Sequence, residues 1–326
     1  MDWLSDEMVP VGEGHVICVR SFGTPDSIPA VFLHGGPGSG VTESHLGLFD
    51  PATCHVVAFD QRGAGLSRPK PGFAGNTTQT LIADMETLRQ HFGFTAWLVV
   101  GGSWGATLAL AYAQAHPERV LGLVLRATFL GTRGELDRAF GSTLETFHPA
   151  LHADFLGLLP EAERDRSLDA YWRRILDPDP EVHRPFARAW HDTERILSQL
   201  APGSARLDPA ALARRDGPLP ASPFMEAHYF AHDCFLTGAP ILENAGLLAG
   251  IPGVMVQGRQ DFLCPPLMAH ALAARWPDAR VRVVEAAGHG LEHAPLRAAV
   301  SEEVAAMVAM LAPPVTPPVT PAAASG

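Results

Sequence analysis

The stretch GGSWG, residues 101–105, follows directly on the apolar run Ala96-Trp97-Leu98-Val99-Val100 and leads directly into ATLALAYAQA, residues 106–115. The first run reads as a buried strand and the second as a helix, so the chain must turn sharply between them. Such a turn leaves little room for side chains. Glycines on both flanks let the backbone make it, and the residue between them is pushed outward. That residue is Ser103. The arrangement predicts a nucleophile elbow with Ser103 as the candidate nucleophile.

Working outward, short strands are expected at residues 15–22, 29–33 and 54–59 ahead of the run at 96–100. Leu81, Met85, Leu88 and Phe92 recur at helical spacing between the last two. A further strand is expected at 120–125. Strands alternating with helices imply an α/β fold: a mostly parallel central sheet flanked by helices on both faces. From about residue 131 to 246 strand-like runs vanish, Asp, Arg, Glu, Pro and Trp rise, and apolar residues fall at helical spacing. This predicts an inserted helical cap at 131–246 that divides the core into a first part, 1–130, and a second part, 247–311. Strands at 254–257 and 281–284 and a helix at 296–311 belong to the second part. Residues 312–326 form a proline-rich tail. It is too poor in apolar surface to offset its ordering entropy, so disorder is expected.

The 326 residues carry a formal net charge of −11, with 47% hydrophobic and 18% charged residues. That composition supports a sizeable core. The acidic balance, with no Lys/Arg cluster, argues against a nucleic-acid partner. No apolar run approaches the ~18 residues a membrane span needs. The opening residues are acidic where a signal peptide needs bases, so a cytoplasmic protein is expected. Cys18, Cys54, Cys234 and Cys264 are widely spaced, which suggests neither a metal site nor a disulfide framework.

A serine hydroxyl needs a base to take its proton, and the base needs an acid to hold it. In α/β-hydrolases these follow in the order serine, acid, histidine, each beyond a later strand. Asp261 follows the strand at 254–257 through Gly258-Arg259-Gln260, and His289 lies in EAAGHG, residues 285–290, after the strand at 281–284. They are the candidate acid and base. His293 is the nearest rival, and the glycines around His289 favour the latter. The developing oxyanion needs two backbone N–H donors. The residue after the nucleophile, Trp104, is one candidate, and Gly36 in LHGGPG, residues 33–38, is the other.

HGGPG (34–38), DQRGAGLSRP (60–69), GGSWGATLALAYAQAHPERV (101–120) and GRQDFLCPP (258–266) together resemble the proline iminopeptidases, or prolyl aminopeptidases, of the α/β-hydrolase superfamily. The resemblance runs from about residue 10 to 311. It implies cleavage of an N-terminal proline from peptides with a free N-terminus, without a cofactor or metal, under a helical cap. An aminopeptidase must recognise a free amine, and a buried ammonium needs carboxylates beside it. The family uses two cap glutamates, in W-x-x-W-E and E-x-H-Y-F stretches. The matching stretches are Trp190-His191-Asp192-Thr193-Glu194 and Glu226-Ala227-His228-Tyr229-Phe230. The resemblance therefore implies Glu194 and Glu226 as an amine clamp. It implies Phe129 and Cys264 as lining of an apolar pyrrolidine pocket. Two departures stand out. Thr193 replaces the second tryptophan, which bears on cap packing, and Ala64 replaces a cysteine in Arg62-Gly63-Ala64-Gly65.

The alternative reading is another cap-bearing α/β-hydrolase, an esterase or amidase for a small acyl substrate. It would share the triad but have no use for two cap carboxylates. A third reading, a binding protein on an inactive hydrolase scaffold, is disfavoured by an intact triad and oxyanion loop. An epoxide hydrolase or dehalogenase would need Asp at position 103.

Overall fold

The computed structural model describes residues 2–238 and 240–312, so all of the tail from residue 313 on lies outside the described residues. Among the described residues eight strands form one sheet in the order β1-β2-β4-β3-β5-β6-β7-β8. They are β1 (Trp3–Gly12), β2 (His15–Gly23), β3 (Ile28–Leu33), β4 (Cys54–Phe59), β5 (Trp97–Gly102), β6 (Val120–Arg126), β7 (Gly253–Gly258) and β8 (Ala279–Val284). The β1–β2 and β2–β4 pairs are antiparallel, and every pair from β4 through β8 is parallel.

The strand rhythm read from the sequence begins at residue 15, and the structure adds β1 before it. β1 is an edge strand, and most of its residues are partly or fully exposed. It carries Asp6, Glu7 and Pro10, so it shows no apolar run. The last helix, Ala294–Leu311, starts two residues earlier than the periodicity suggests, with Pro295 in its first turn.

Alternation along the central strands sorts side chains onto two faces. Val31, Leu33, Trp97, Val99, Leu123, Leu125 and Met255 join the core on one side, under the helices Thr78–His91 and Trp104–Ala115. Ala30, Phe32, Leu98, Val100, Val124, Val254 and Val256 join the core under the helix Ala294–Leu311. The helix Trp104–Ala115 is buried along its first ten residues, which explains why it is apolar on every side.

Between β6 and β7 the chain leaves the sheet and forms helices, among them Pro149–Gly157, Ser167–Ile175, Pro180–Ser198 and Ser222–Phe230. Aromatic stacking holds this segment together. Phe140 stacks on Trp190 at 4.1 Å and Phe155 on Tyr171 at 3.9 Å, and the Tyr171 hydroxyl donates to the Phe155 carbonyl at 2.7 Å. Thr193, where the related stretch has its second tryptophan, lies on the same helix as Trp190 and is fully buried.

Candidate active site

Ser103 sits at the junction of β5 and the helix Trp104–Ala115 with φ 57° and ψ −123°. An L residue pays strain there, and surrounding contacts must hold it. Ser103 N–H donates to the Arg126 carbonyl of β6 at 3.0 Å, and its own carbonyl accepts from Ala106 N–H at 2.9 Å. The glycines around it have a steric cause. A Cβ on Gly105 would run into the Leu33 carbonyl, one on Gly101 into the Gly105 carbonyl, and one on Gly102 into the Arg126 guanidinium.

Asp261 and His289 lie beyond the carboxyl ends of β7 and β8, the edge where sites form in parallel sheets. Asp261 is buried, and its Oδ1 accepts from Leu263 N–H at 3.0 Å and Cys264 N–H at 2.8 Å. His289 Nδ1 is 3.0 and 2.9 Å from the two carboxylate oxygens. With Nδ1–H donated to Asp261, the Nε2 lone pair is the basic position. Ser103 and His289 line one cavity of about 290 Å³, and no hydrogen bond joins them among the described residues. His293, the rival, accepts from Gly288 N–H at 3.2 Å and so braces the loop that carries His289. Arg126, which no motif singled out, donates to the His289 carbonyl and lines the same cavity.

Gly36 also lines that cavity. Among the hydrogen bonds of the described residues, neither Gly36 N–H nor Trp104 N–H donates to a protein acceptor. Their loops are tied together below the surface. Burial lowers the His34 pKa and keeps the ring neutral. His34 Nδ1–H donates to the Gly35 carbonyl at 2.9 Å, and Nε2 accepts Gln61 N–H at 3.0 Å. Gln61 then donates to the His34 carbonyl at 2.9 Å and accepts the Trp104 indole N–H at 2.8 Å.

Glu194, on the helix Pro180–Ser198, and Glu226, on the helix Ser222–Phe230, both reach the cavity wall. Glu226 is 0% exposed, and its Oε2 accepts the Trp190 indole N–H at 2.5 Å. Its Oε1 finds no donor. The two carboxyl groups are close enough to influence one another's protonation, and they can hydrogen-bond only when one of them is protonated. Burial pushes Glu194 up to about 7, against a smaller opposing pull from His289. Burial, then the neighbouring Glu194, pushes Glu226 well above the usual carboxylate range.

A second, narrower pocket opens beside Ser103. Phe129, Phe140, Phe230, Leu136 and Cys264 line it, and it shares Gly36, Ser103, Glu194 and Leu263 with the larger cavity. Phe129 meets Phe230 edge-on at 5.9 Å. Burial pushes the Cys264 thiol well up, so it stays neutral. Phe230 closes the E-x-H-Y-F stretch and was within reach of the motif, whereas Phe140 carries no signal in its neighbourhood. Among the described residues no cluster of His, Cys, Asp or Glu is placed to hold a metal ion, and no helix is long and apolar enough to cross a membrane.

A parallel sheet with a strained serine at a strand–helix junction, and an Asp–His pair beyond later strands, defines a hydrolase class. The chain belongs to the alpha/beta hydrolase fold family, which matches residues 29–291. Within that class it belongs to the proline iminopeptidases. It is 39% identical to the probable proline iminopeptidase of Leptolyngbya boryana over 90% of this chain and 91% of that one. It is 41% identical to the proline iminopeptidase of Arabidopsis thaliana over 86% of this chain and 73% of that one. The crystal structure of a Mycobacterium smegmatis proline iminopeptidase shares the fold, with a TM-score of 0.59 and 18% identity over 94% of this chain and 100% of that one.

Proposed function

We propose that the protein is a serine aminopeptidase that releases N-terminal proline from peptides through an acyl-enzyme intermediate. The observation that carries this reading is one shared wall. Ser103, His289, the fully buried Glu226 and the partly buried Glu194 line a single cavity, and a narrow apolar pocket opens beside the serine.

In this reading Ser103 Oγ attacks the prolyl carbonyl carbon and His289 Nε2 takes its proton. Asp261 holds the imidazole in the required tautomer and stabilises its positive form. The amides of Gly36 and Trp104 receive the oxyanion. His289 then gives the proton to the leaving amine, and the C–N bond breaks. Water, activated by the same histidine, releases proline from Ser103. The pyrrolidine ring occupies the pocket of Phe129, Phe140, Phe230 and Cys264, and the amine lies between Glu194 and Glu226. The segment 131–246 acts as a cap over a core made of 1–130 and 247–311. Peptides with a free N-terminus are the substrates. Four cysteines that form no disulfide fit a reducing, cytoplasmic setting.

The test compares proline 2-naphthylamide, its N-acetylated form and a short-chain nitrophenyl ester. The first is expected to be cleaved far faster than the second. Glu194→Gln or Glu226→Gln should each lower kcat/KM for the naphthylamide by roughly 10²-fold, as loss of a buried charge pair does, and leave the ester unaffected. Equal loss on ester and naphthylamide would assign the glutamates to fold or triad support. No loss on either would favour the esterase reading.

A further inference from the structure

We propose that the empty Glu194–Glu226 pair holds one proton, and that an incoming protonated amine expels it to solvent. The inference rests on the reading of the pair as the amine's partner and adds what happens to charge when the site fills.

The geometry requires a proton. Glu226 has no exposed surface, one oxygen on the Trp190 indole, and a second oxygen that makes no hydrogen bond, with Glu194 and the Ser222 hydroxyl as its polar neighbours. Glu226 is wholly out of water and Glu194 only partly in it, so ionising both neighbouring carboxyls is costly; they share a proton, as paired carboxylates in other sites do. The charged and titratable neighbours do not remove that need. Arg195, on the helix of Glu194, is paired with Asp192 at 3.5 Å. Arg126, from β6, donates to the His289 carbonyl. His191 stands further along the same cavity wall, and burial keeps its pKa low. Ser222, on the helix of Glu226, offers only a neutral hydroxyl, and the Cys264 thiol is neutral. His289 faces Glu194 but already donates to Asp261.

The upward shifts of both carboxyls agree with a shared proton. A proline N-terminus at neutral pH is a secondary ammonium with two N–H donors. The pair offers two carboxyl groups, one with an oxygen lacking any partner. A neutral carboxyl could still accept an N–H, but the ammonium charge beside the pair favours two carboxylates over one, so the shared proton leaves. The balance closes. The protonated pair carries −1 and the ammonium +1; the product carries −2 and +1, and one proton enters solvent. The two glutamates with their occupant then carry −1 in place of the empty pair's −1. His289 sees the same net charge from that side before and after binding, so substrate binding does not by itself shift its basicity through this pair.

The experiment is calorimetric titration with L-prolinol, which has the amine and ring but no scissile bond. Titrations of the full chain are run at pH 6 in two buffers of different ionisation enthalpy. The expected difference in apparent enthalpy corresponds to nearly one proton released per ligand. Kd should fall about tenfold per pH unit from pH 5 to 6.5 and flatten above the pair's titration. In Glu194→Gln the amide supplies the donor to Glu226, so ligand binding should become independent of buffer. Binding to the unmodified protein with no buffer dependence overturns the proposal and leaves the amine reading intact. Proton release that persists in Glu194→Gln assigns the proton to another group, His289 first, and also overturns it. No binding at millimolar prolinol overturns the amine reading and the proposal together.

Discussion

Ser103 occupies a backbone conformation that costs an L residue about 1–3 kcal/mol. This makes two substitutions differ in stability although both remove the hydroxyl. Ser103→Ala keeps the strain and should leave the melting temperature near that of the parent, while turnover falls about 10⁴-fold or more. Ser103→Gly relieves the strain and should be more stable than Ser103→Ala by about 1 kcal/mol in denaturant titrations. Equal stability of the two would mean that the elbow stores no strain. Glu194 makes a second residue-scale prediction. An unfolded glutamate releases its proton near 4.5, and the folded one near 7. Between those values the folded chain binds more protons, so this residue's stabilising contribution is complete below about 4.5 and is lost as pH rises through 7. Glu194→Gln should therefore gain on the parent as pH rises, by about 2–3 kcal/mol at pH 8. Urea unfolding at pH 4.5 and pH 8 reads the difference, and a constant offset at both pH values would count against it.

The helix Ser222–Phe230 is the element that joins Glu226, the proposed partner of the amine, to the loop of Gly36, the proposed oxyanion donor. It lies directly on two glycine-rich turns. A Cβ on Gly38, whose φ is +101°, would come within 2.9 Å of Met225, and one on Gly63 within 2.7 Å of Met225 Sδ. Its other end is fastened to the core through Asn76. The Tyr229 hydroxyl donates to Asn76 Oδ1 at 2.7 Å and His228 Nε2–H to the Asn76 carbonyl at 2.8 Å, while Asn76 Nδ2 donates to Gly72 and Arg62 carbonyls. Tyr229 also packs edge-on against Trp104 at 4.6 Å. The helix that carries Glu226 is thus bonded to the core. Gly38→Ala should cost about 2 kcal/mol or more and lower kcat for proline 2-naphthylamide, since both the backbone conformation and the contact are lost. Adding Met225→Ala should restore part of the loss by clearing the contact, and leave the part that belongs to φ. Full independence of the two changes in a double-mutant cycle would show that they do not touch.

At the scale of the whole molecule, Arg62 ties separate layers together. It pairs with Asp84 of the helix Thr78–His91 through two bonds of 2.7 Å, with Glu13 at 3.1 Å, and with the carbonyls of Val11 and Gly75. Arg62 and Asp84 are almost fully buried. Arg62→Leu leaves Asp84 buried without a counter-charge and should destabilise the chain by about 3–5 kcal/mol. Arg62→Leu with Asp84→Leu should recover much of that in thermal melts. A double variant no better than the single would place the cost in the lost backbone contacts instead.

The triad candidates were legible for a local reason. Ser103, Asp261 and His289 each follow a strand within a few residues, and glycines mark those turns because backbone or a neighbouring side chain passes too close for a Cβ. Apolar runs likewise marked the buried strands, since a strand covered on both faces has no polar face to display. β1 escaped because an exposed edge strand needs no apolar run. Phe140 and Arg126 escaped because their place in the cavity depends on how distant segments pack, and no nearby turn or repeat records it. The two glutamates lie on separate helices, 32 positions apart, and only the family resemblance drew them together. Sequence alone determined the succession of strands from residue 15 onward, the elbow and the residues carried to the sheet's working edge, because these depend on neighbours along the chain. Tertiary structure alone decided that Glu194 and Glu226 meet at one cavity wall with Glu226 wholly buried, the arrangement from which the shared proton is inferred. That state depends on dielectric and distance, which arise only when the helices dock.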